Sequence, residues 1–212
     1  MTSEVFQQFL KETDDTDRTS TIERKNPLSF TDANGKSEDL ADPFSRLDIR
    51  VGKIVYIQEH PLAETTFVNH VRYDDKNTKA AMCKIKGSYK KKELKKKLVI
   101  LVMNVNYKVM YLESEAFILY ARDKDKKIRE LLEPPIDSEV GDRIIAPGIP
   151  FIPATRMPYI KPMKAGKKLL DEVTAKMCVD SEGFATYKGI RLTNVMNEMV
   201  TVPTLRRCPI QR

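Results

Sequence analysis

From Phe44 onward, short apolar runs alternate with charged punctuation at a spacing that suits strands. Over Phe44–Glu59, Leu47, Ile49 and Val51 fall on one side of an extended chain; Gly52 interrupts the alternation and Ile54 resumes it. A glycine within a strand marks a bulge or a sharp coil, the device that closes small barrels. His60–Pro61 ends this strand, Phe67–Tyr73 gives a second, the polar cluster Asp74–Thr78 turns the chain, and Lys79–Ile85 gives a third. Ser88–Lys97 reads as a short helix, with Tyr89, Leu94 and Leu98 inward and the lysine stems lying along the surface. Leu98–Val105 is an almost continuous apolar run, as a buried strand requires, and Ala116–Ala121 is another.

Three strands, a short helix and two strands is the connectivity of a five-stranded OB-fold barrel. Leu131–Pro135 and Gly141–Ile145 then read as a rim strand, a turn and a closing strand, and Pro147–Pro162 is proline-rich and irregular. Lys164–Met177 predicts a helix with Leu169, Leu170 and Val173 on its apolar side, and Phe184–Leu192 a last hairpin. The fold class is therefore mainly β: a barrel at 43–146 followed by an α+β C-terminal subdomain at 147–212. Residues 1–42 are polar and acidic, and their composition predicts a flexible leader. Within it, Val5, Phe6, Phe9 and Leu10 place an apolar stripe on a short helix over Ser3–Glu12, either frayed against the body or a docking peptide for a partner protein.

Charge sharpens this picture. The leader has ten acids against five bases, a net of −5, so the remaining residues carry +12 of a chain whose total is +7. Most concentrated is Lys84–Leu98, KIKGSYKKKELKKKL, with eight lysines and one glutamate. Positive charge this dense repels itself unless water or a polyanion neutralises it; on a folded barrel it points to a phosphate-rich partner. Cys83, Cys178 and Cys208 are scattered and lack metal-ligand spacing, which predicts reduced thiols in a cytoplasmic protein and no metal. Neither a secretory signal nor a membrane-length apolar run stands out. His60 and His70 have no carboxylate pair or nucleophile beside them in a recognisable motif. Gly-rich phosphate loops, GxSxG and HExxH are likewise missing, so the sequence predicts no catalysis and no cofactor.

Several segments occur in the order of one family: LDIRVGKI (Leu47–Ile54), HPLAETTFV (His60–Val68), the apolar strand ending at Asn104, ESEAFILYA (Glu113–Ala121), LLEPP (Leu131–Pro135) and GDRI from Gly141. The chain resembles the tRNA-binding domain appended to eukaryotic aminoacyl-tRNA synthetases. KPMKAGKKLLDEV (Lys161–Val173) and ATYKGIRL (Ala185–Leu192) resemble the extra subdomain of its endothelial-monocyte-activating-polypeptide type. The resemblance implies an OB-fold that binds tRNA with little sequence preference, lending affinity to a synthetase (possible types are methionyl, tyrosyl and lysyl) in cis or in trans. It also implies a monomer, because the subdomain occupies the face on which bacterial relatives dimerise. Two loops depart from the family pattern. Cys83-Lys84-Ile85 stands where a Ser-Gly-Leu turn is usual, and Val105–Leu112 has no proline, arginine or glycine, leaving Lys108 as its positive charge.

The candidate RNA contacts are Arg50, Lys53, Lys84, Lys86, Lys90, Lys91, Lys92, Lys95, Lys96, Lys97, Asn104, Tyr107, Lys108, Tyr111, Ser114 and Glu115. Lysines meet phosphates, or form only a solvated face. Arg50 and Lys53 border the binding face of the first strand, or are simply exposed there. Tyr107 and Tyr111 can stack an unpaired base, worth about 1–3 kcal/mol; Tyr120, inside an apolar strand, belongs to the core. Ser114 and Glu115 match the family's Ser-(Gln/Glu) position, where a hydroxyl bonds a backbone phosphate or caps the turn. Glu133-Pro134-Pro135 reads as a rim turn. Besides tRNA binding beside a synthetase, the sequence allows an assembly adaptor of a multi-synthetase complex. It also allows a released cytokine-like polypeptide, since RVGKIVY (Arg50–Tyr56) resembles the segment linked to that activity. A surface that binds heparin or membranes unspecifically is the remaining alternative.

Overall fold

Alternation from Ile49 onward builds a closed five-stranded barrel. The computed structural model describes residues 42–123, 125, 127–152, 160 and 163–212, and the backbone of a small hairpin that pairs Phe30–Thr31 with Ser37–Glu38. The helix expected at Ser3–Glu12 and most of the proline-rich stretch lie outside these residues. Leu40–Arg212 forms one compact unit.

Its elements run β1 (Ile49–Glu59), β2 (Phe67–Arg72), β3 (Thr78–Cys83), α1 (Lys91–Leu94), β4 (Leu98–Val102), β5 (Tyr107–Val109), β6 (Leu112–Ser114) and β7 (Ala116–Ile118). The barrel order is β1-β2-β3-β7-β4, with β4 pairing back onto β1 from Ile49↔Val102 to Lys53↔Leu98. The β3–β7 contact, Ala81↔Ala116, is parallel and all other barrel pairings are antiparallel. This is the OB-fold.

Three local expectations are corrected. Pro43–Arg46 is a 3-10 turn, not strand: Asp42 Oδ1 accepts from Phe44 N at 2.9 Å, and Pro43 sits where no donor is needed. The bulge of β1 lies at Val55, between Ile54↔Val71 and Tyr56↔His70, and not at Gly52. Gly52 answers a close approach instead: a Cβ there would stand 2.7 Å from Val71 Cγ1 and closer still to Leu101 Cδ1, inside the barrel. Finally, α1 is a single turn. Lys91/Lys95 and Lys92/Lys96 would be like-charge pairs at helical i,i+4 spacing. The chain instead takes a left-handed turn at Lys96 (φ 69°) and binds β1 at its bulge, Lys96 N to Ile54 O at 2.9 Å and Ile54 N to Lys97 O at 3.0 Å.

Two apolar layers share the central strands. Val99, Leu101 and Met103 of β4 and its exit point into the barrel with Ala116, Ile118 and Leu94. Ile100, Val102, Phe117 and Leu119 point outward and are equally buried, because the C-terminal elements cover them. That double burial explains the unbroken apolar runs in the sequence. The covering elements are β8 (Tyr120–Arg122), β9 (Arg129–Leu131), α2 (Met163–Thr174), β10 (Met177–Val179), β11 (Ala185–Tyr187), β12 (Ile190–Arg191) and β13 (Ile210–Gln211). Leu169, Leu170 and Val173 of α2 are buried in the outer layer, as their spacing predicts. The rim strand starts at Arg129, two residues before the LLEPP motif, and β13 returns to pair with β8. Gly141–Ile145 follows β1 through backbone bonds (Gly141 N to Val51 O and Ile144 N to Ile49 O, both 2.9 Å) without becoming a regular strand.

Candidate nucleic-acid interface

A cleft of about 610 Å³ opens between two loops of the barrel. One wall is the β1–β2 connection, Leu62–Thr66; the other is the hairpin β5–β6, which the apolar pattern did not reveal because its residues are mostly polar or exposed. In OB barrels these are the two loops that frame the ligand face. His60 ties them together. It is buried, its Nδ1 accepts from Leu62 N (3.1 Å) and Ala63 N (3.0 Å), and the proton therefore sits on Nε2, which donates to Val109 O at 3.1 Å. The sequence placed His60 outside acid–base chemistry; the structure makes it the strut between the walls.

Four cations line the cleft: Lys84, Lys108, Lys167 and Arg212, against Glu64. Asp171 moderates two of them, since it pairs with Lys167 at 2.7 Å and with Arg212. Lys84 and Lys108 are exposed and have no ion-pair partner among the described residues. The sequence named Lys84 and Lys108 but missed Lys167 and Arg212, which only the packing of the C-terminal elements on the barrel brings here. Tyr107 forms part of the lining. Its ring stacks on Phe117 (centroids 4.2 Å apart), and the Lys167 and Arg212 cations lie 5.9 and 5.4 Å from its centroid. Burial pushes its hydroxyl above the usual phenol range, so it stays neutral. Tyr111, 83% exposed at the hairpin tip beside exposed Met110, presents a ring to solvent. Cys83 lies under the cleft; burial pushes its thiol far up, so it offers no thiolate.

The lysine-rich segment divides. Lys86 N bonds Thr65 O at 3.2 Å, which seats the start of the segment on a cleft wall. Glu59 pairs with Lys86 (2.7 Å) and Lys91 (3.3 Å), and hydrogen bonds from these two lysines, Lys86 foremost, hold its carboxyl below the usual range. Lys90, Lys92, Lys95 and Lys96 are exposed without an acidic partner among the described residues, and Lys97 pairs with Glu133 at 2.7 Å. Lys95–Lys97 leave the cleft and follow β1.

Other candidates hold the chain together. Ser114 is fully buried, donating to Ala116 O (2.7 Å) and accepting from Met82 N (2.9 Å). Asn104 is buried, accepting from Asp48 N (2.8 Å) and donating to Arg46 O (2.9 Å). Glu115 accepts from Ala80 N at 2.8 Å on β3. Arg50 pairs with Asp48 at 2.9 Å, and Arg143 pairs with the same carboxylate at 3.2 Å. Lys53 is half-buried on β1.

Residues 49–143 match the family described as "Putative tRNA binding domain". The chain is 29% identical over 162 residues to cytoplasmic methionine–tRNA ligase of Caenorhabditis elegans, covering 76% of this chain and 17% of the relative. It is 27% identical over 168 residues to aminoacyl tRNA synthase complex-interacting multifunctional protein 1 of Cricetulus griseus (79% and 44%), and 27% over 184 residues to cytoplasmic tyrosine–tRNA ligase of Danio rerio (85% and 32%). It thus spans less than half the length of these relatives. Among solved structures, the C-terminal domain of Plasmodium vivax p43 shares its fold with a TM-score of 0.66 at 20% identity, over 79% of this chain and 98% of that one. That overlap extends past the barrel into the C-terminal elements. The match to the tRNA-binding domain family thus covers the barrel over residues 49–143, and the likeness to these relatives continues through the C-terminal elements.

Proposed function

We propose that this chain binds tRNA without catalysing a reaction on it, as an accessory that raises the local concentration of tRNA beside an aminoacyl-tRNA synthetase. The observation that carries this is the cleft between the two barrel loops, lined by Lys84, Lys108, Lys167 and Arg212 with an exposed aromatic at its edge. Lysines contact phosphates regardless of sequence, and Tyr111 stacks a base of any identity, so the binding is broad. Of the sequence candidates, Lys84, Lys86, Lys90, Lys91, Lys92, Lys108 and Tyr111 form the RNA surface nearest the cleft; Lys95, Lys96, Lys97, Arg50 and Lys53 lie outside it, and Tyr107, Asn104, Ser114 and Glu115 shape it. The organisation is an acidic arm over 1–42, the binding barrel over 43–146, and a subdomain over 147–212 that keeps the unit monomeric by covering the outer layer. Two relatives are cytoplasmic ligases by name, and the free thiols Cys83, Cys178 and Cys208 accord with that compartment for this chain. No helix among the described residues is long and apolar enough to cross a membrane.

The test is a titration of several unrelated tRNAs against salt. Five or six neutralised phosphates give a slope of log affinity on log salt of about −4 to −5. A slope near zero, or turnover in an ATP–pyrophosphate exchange assay, overturns the proposal. A second reading is supported by the complex-interacting relative: the chain also links synthetases together. Deleting residues 1–42 separates the two, because an adaptor arm loses synthetase pull-down while tRNA affinity is unchanged.

A further inference from the structure

On the other side of Lys84 and Arg212, which line both cavities, lies a second cleft of about 360 Å³. It holds an arrangement the fold does not need. Arg122 of β8 and Arg129 of β9 stand directly opposite one another in the strand register, so their side chains share one face, and both line this cleft. Like charges directly opposed on neighbouring strands destabilise a sheet. No carboxylate within the described residues forms an ion pair with either arginine. Glu130, which follows Arg129 in sequence, is turned to Thr204 and Leu205. Asp171, the one acid in the lining, is paired with Arg212 and Lys167. The Nε atoms of Arg122, Arg129 and Arg212 are all enclosed without an acceptor, and Arg122 Nη1 reaches Gln211 Oε1 only at 3.4 Å.

Opposed guanidiniums with enclosed, unpaired N–H groups are complementary to a tetrahedral anion, which accepts several charge-assisted bonds and removes the repulsion. We propose that the Arg122–Arg129 cleft is a second phosphate site, taken by a phosphodiester of the RNA strand whose neighbouring stretch occupies the cleft between the barrel loops. This rests on the reading of the chain as a tRNA binder. Lys84 and Arg212 stand where the two clefts meet, so a backbone leaving the first passes them before it reaches the arginines. The site fixes the direction of the RNA: across the mouth of the barrel toward the C-terminal elements, away from Lys95–Lys97.

The experiment has two arms on the full chain. In the first, Arg122→Gln/Arg129→Gln is compared with wild type in tRNA titrations over salt, with Lys108→Gln as the control in the first cleft alone. Loss of one phosphate contact weakens binding about 5- to 8-fold at 0.1 M salt and lowers the slope by about 0.7–0.9. In the second, thermal unfolding is followed with pyrophosphate and with chloride at matched ionic strength. Wild type is stabilised by pyrophosphate; the double variant is not, and in chloride it melts no lower than wild type because the repulsion is gone. If the double variant keeps wild-type affinity and slope while Lys108→Gln lowers both, the inference falls and the tRNA-binding function stands. Pyrophosphate stabilisation with no effect on tRNA assigns the cleft to a free anion and overturns the RNA assignment. Failure of wild type to bind tRNA at all removes both.

Discussion

Replacing Lys84 and Lys108 together by glutamine separates a specific cleft from a generally basic surface. Both side chains are exposed in the cleft lining and neither has an acidic partner among the described residues, so each is available to a phosphate without first breaking an ion pair. Each phosphate contact contributes about 0.7–0.9 to the salt slope, which at 0.1 M salt is about 5- to 8-fold in affinity. The pair should therefore reduce the slope by about 1.4–1.8 and weaken binding roughly 25- to 60-fold. The control is Lys95→Gln/Lys96→Gln, which removes the same charge from the segment bonded to β1 at Ile54. Its effect should stay within about twofold, as long-range attraction is screened beyond a Debye length of about 10 Å. Glu59→Gln supplies the opposite sign: it frees Lys86 and Lys91 from their shared carboxylate and should tighten binding. Fluorescence anisotropy of labelled tRNA from about 0.05 to 0.3 M salt reads all three. Equal losses from the two lysine pairs would mean that charge count alone matters and would falsify the cleft.

Three further outcomes test the frame. Gly52→Ala drives a methyl into Val71 and Leu101, and should cost about 1–3 kcal/mol by denaturant unfolding, with no change if the barrel interior there is loose. His60→Ala removes two acceptor bonds within one cleft wall and the donor bond that reaches the other, leaving part-buried backbone groups unpaired. It should cost about 2–4 kcal/mol of stability and lower tRNA affinity, while Leu62→Ala on the exposed wall should leave stability unchanged. Burial of Asp42 opposes its ionisation, but hydrogen bonds from Lys188, Phe44 N and Tyr187 outweigh it and hold the carboxyl below its usual value. The folded pKa lies below the unfolded one near about 3.9, so its contribution is complete above that pH and vanishes as pH falls through the folded value. Asp42→Asn should flatten the stability profile below about pH 4; a profile identical to wild type contradicts the assignment.

Strand identity was legible where burial is one- or two-sided and regular. The apolar spacing at Ile49, Val51 and Ile54 and the solid run Leu98–Val102 followed from the faces they bury, and Leu169, Leu170 and Val173 marked the inner side of α2 for the same reason. The hairpin β5–β6 stayed hidden because its stability comes from backbone pairing and from the Tyr107–Phe117 stack, neither of which leaves an alternating pattern. Gly52 announced itself as special, yet whether it bulges or admits close packing depends on Leu101 and Val71, residues distant in sequence.

Charge was the reverse case. The lysine-rich segment and the basic body are properties of composition, and they alone called for a polyanionic partner. Which lysines must first leave an ion pair to meet it was decided in three dimensions, because an acid remote along the chain engages a base as effectively as a neighbour does: Glu59 holds Lys86 and Lys91, and Glu133 holds Lys97. Lys167 and Arg212 join Lys84 and Lys108, and Arg122 comes to face Arg129, only when the C-terminal elements close over the outer layer of the barrel. Local pattern determines which segments extend and which surfaces are apolar; convergence of side chains from separate segments is a consequence of packing, and a linear sequence holds no distance between them.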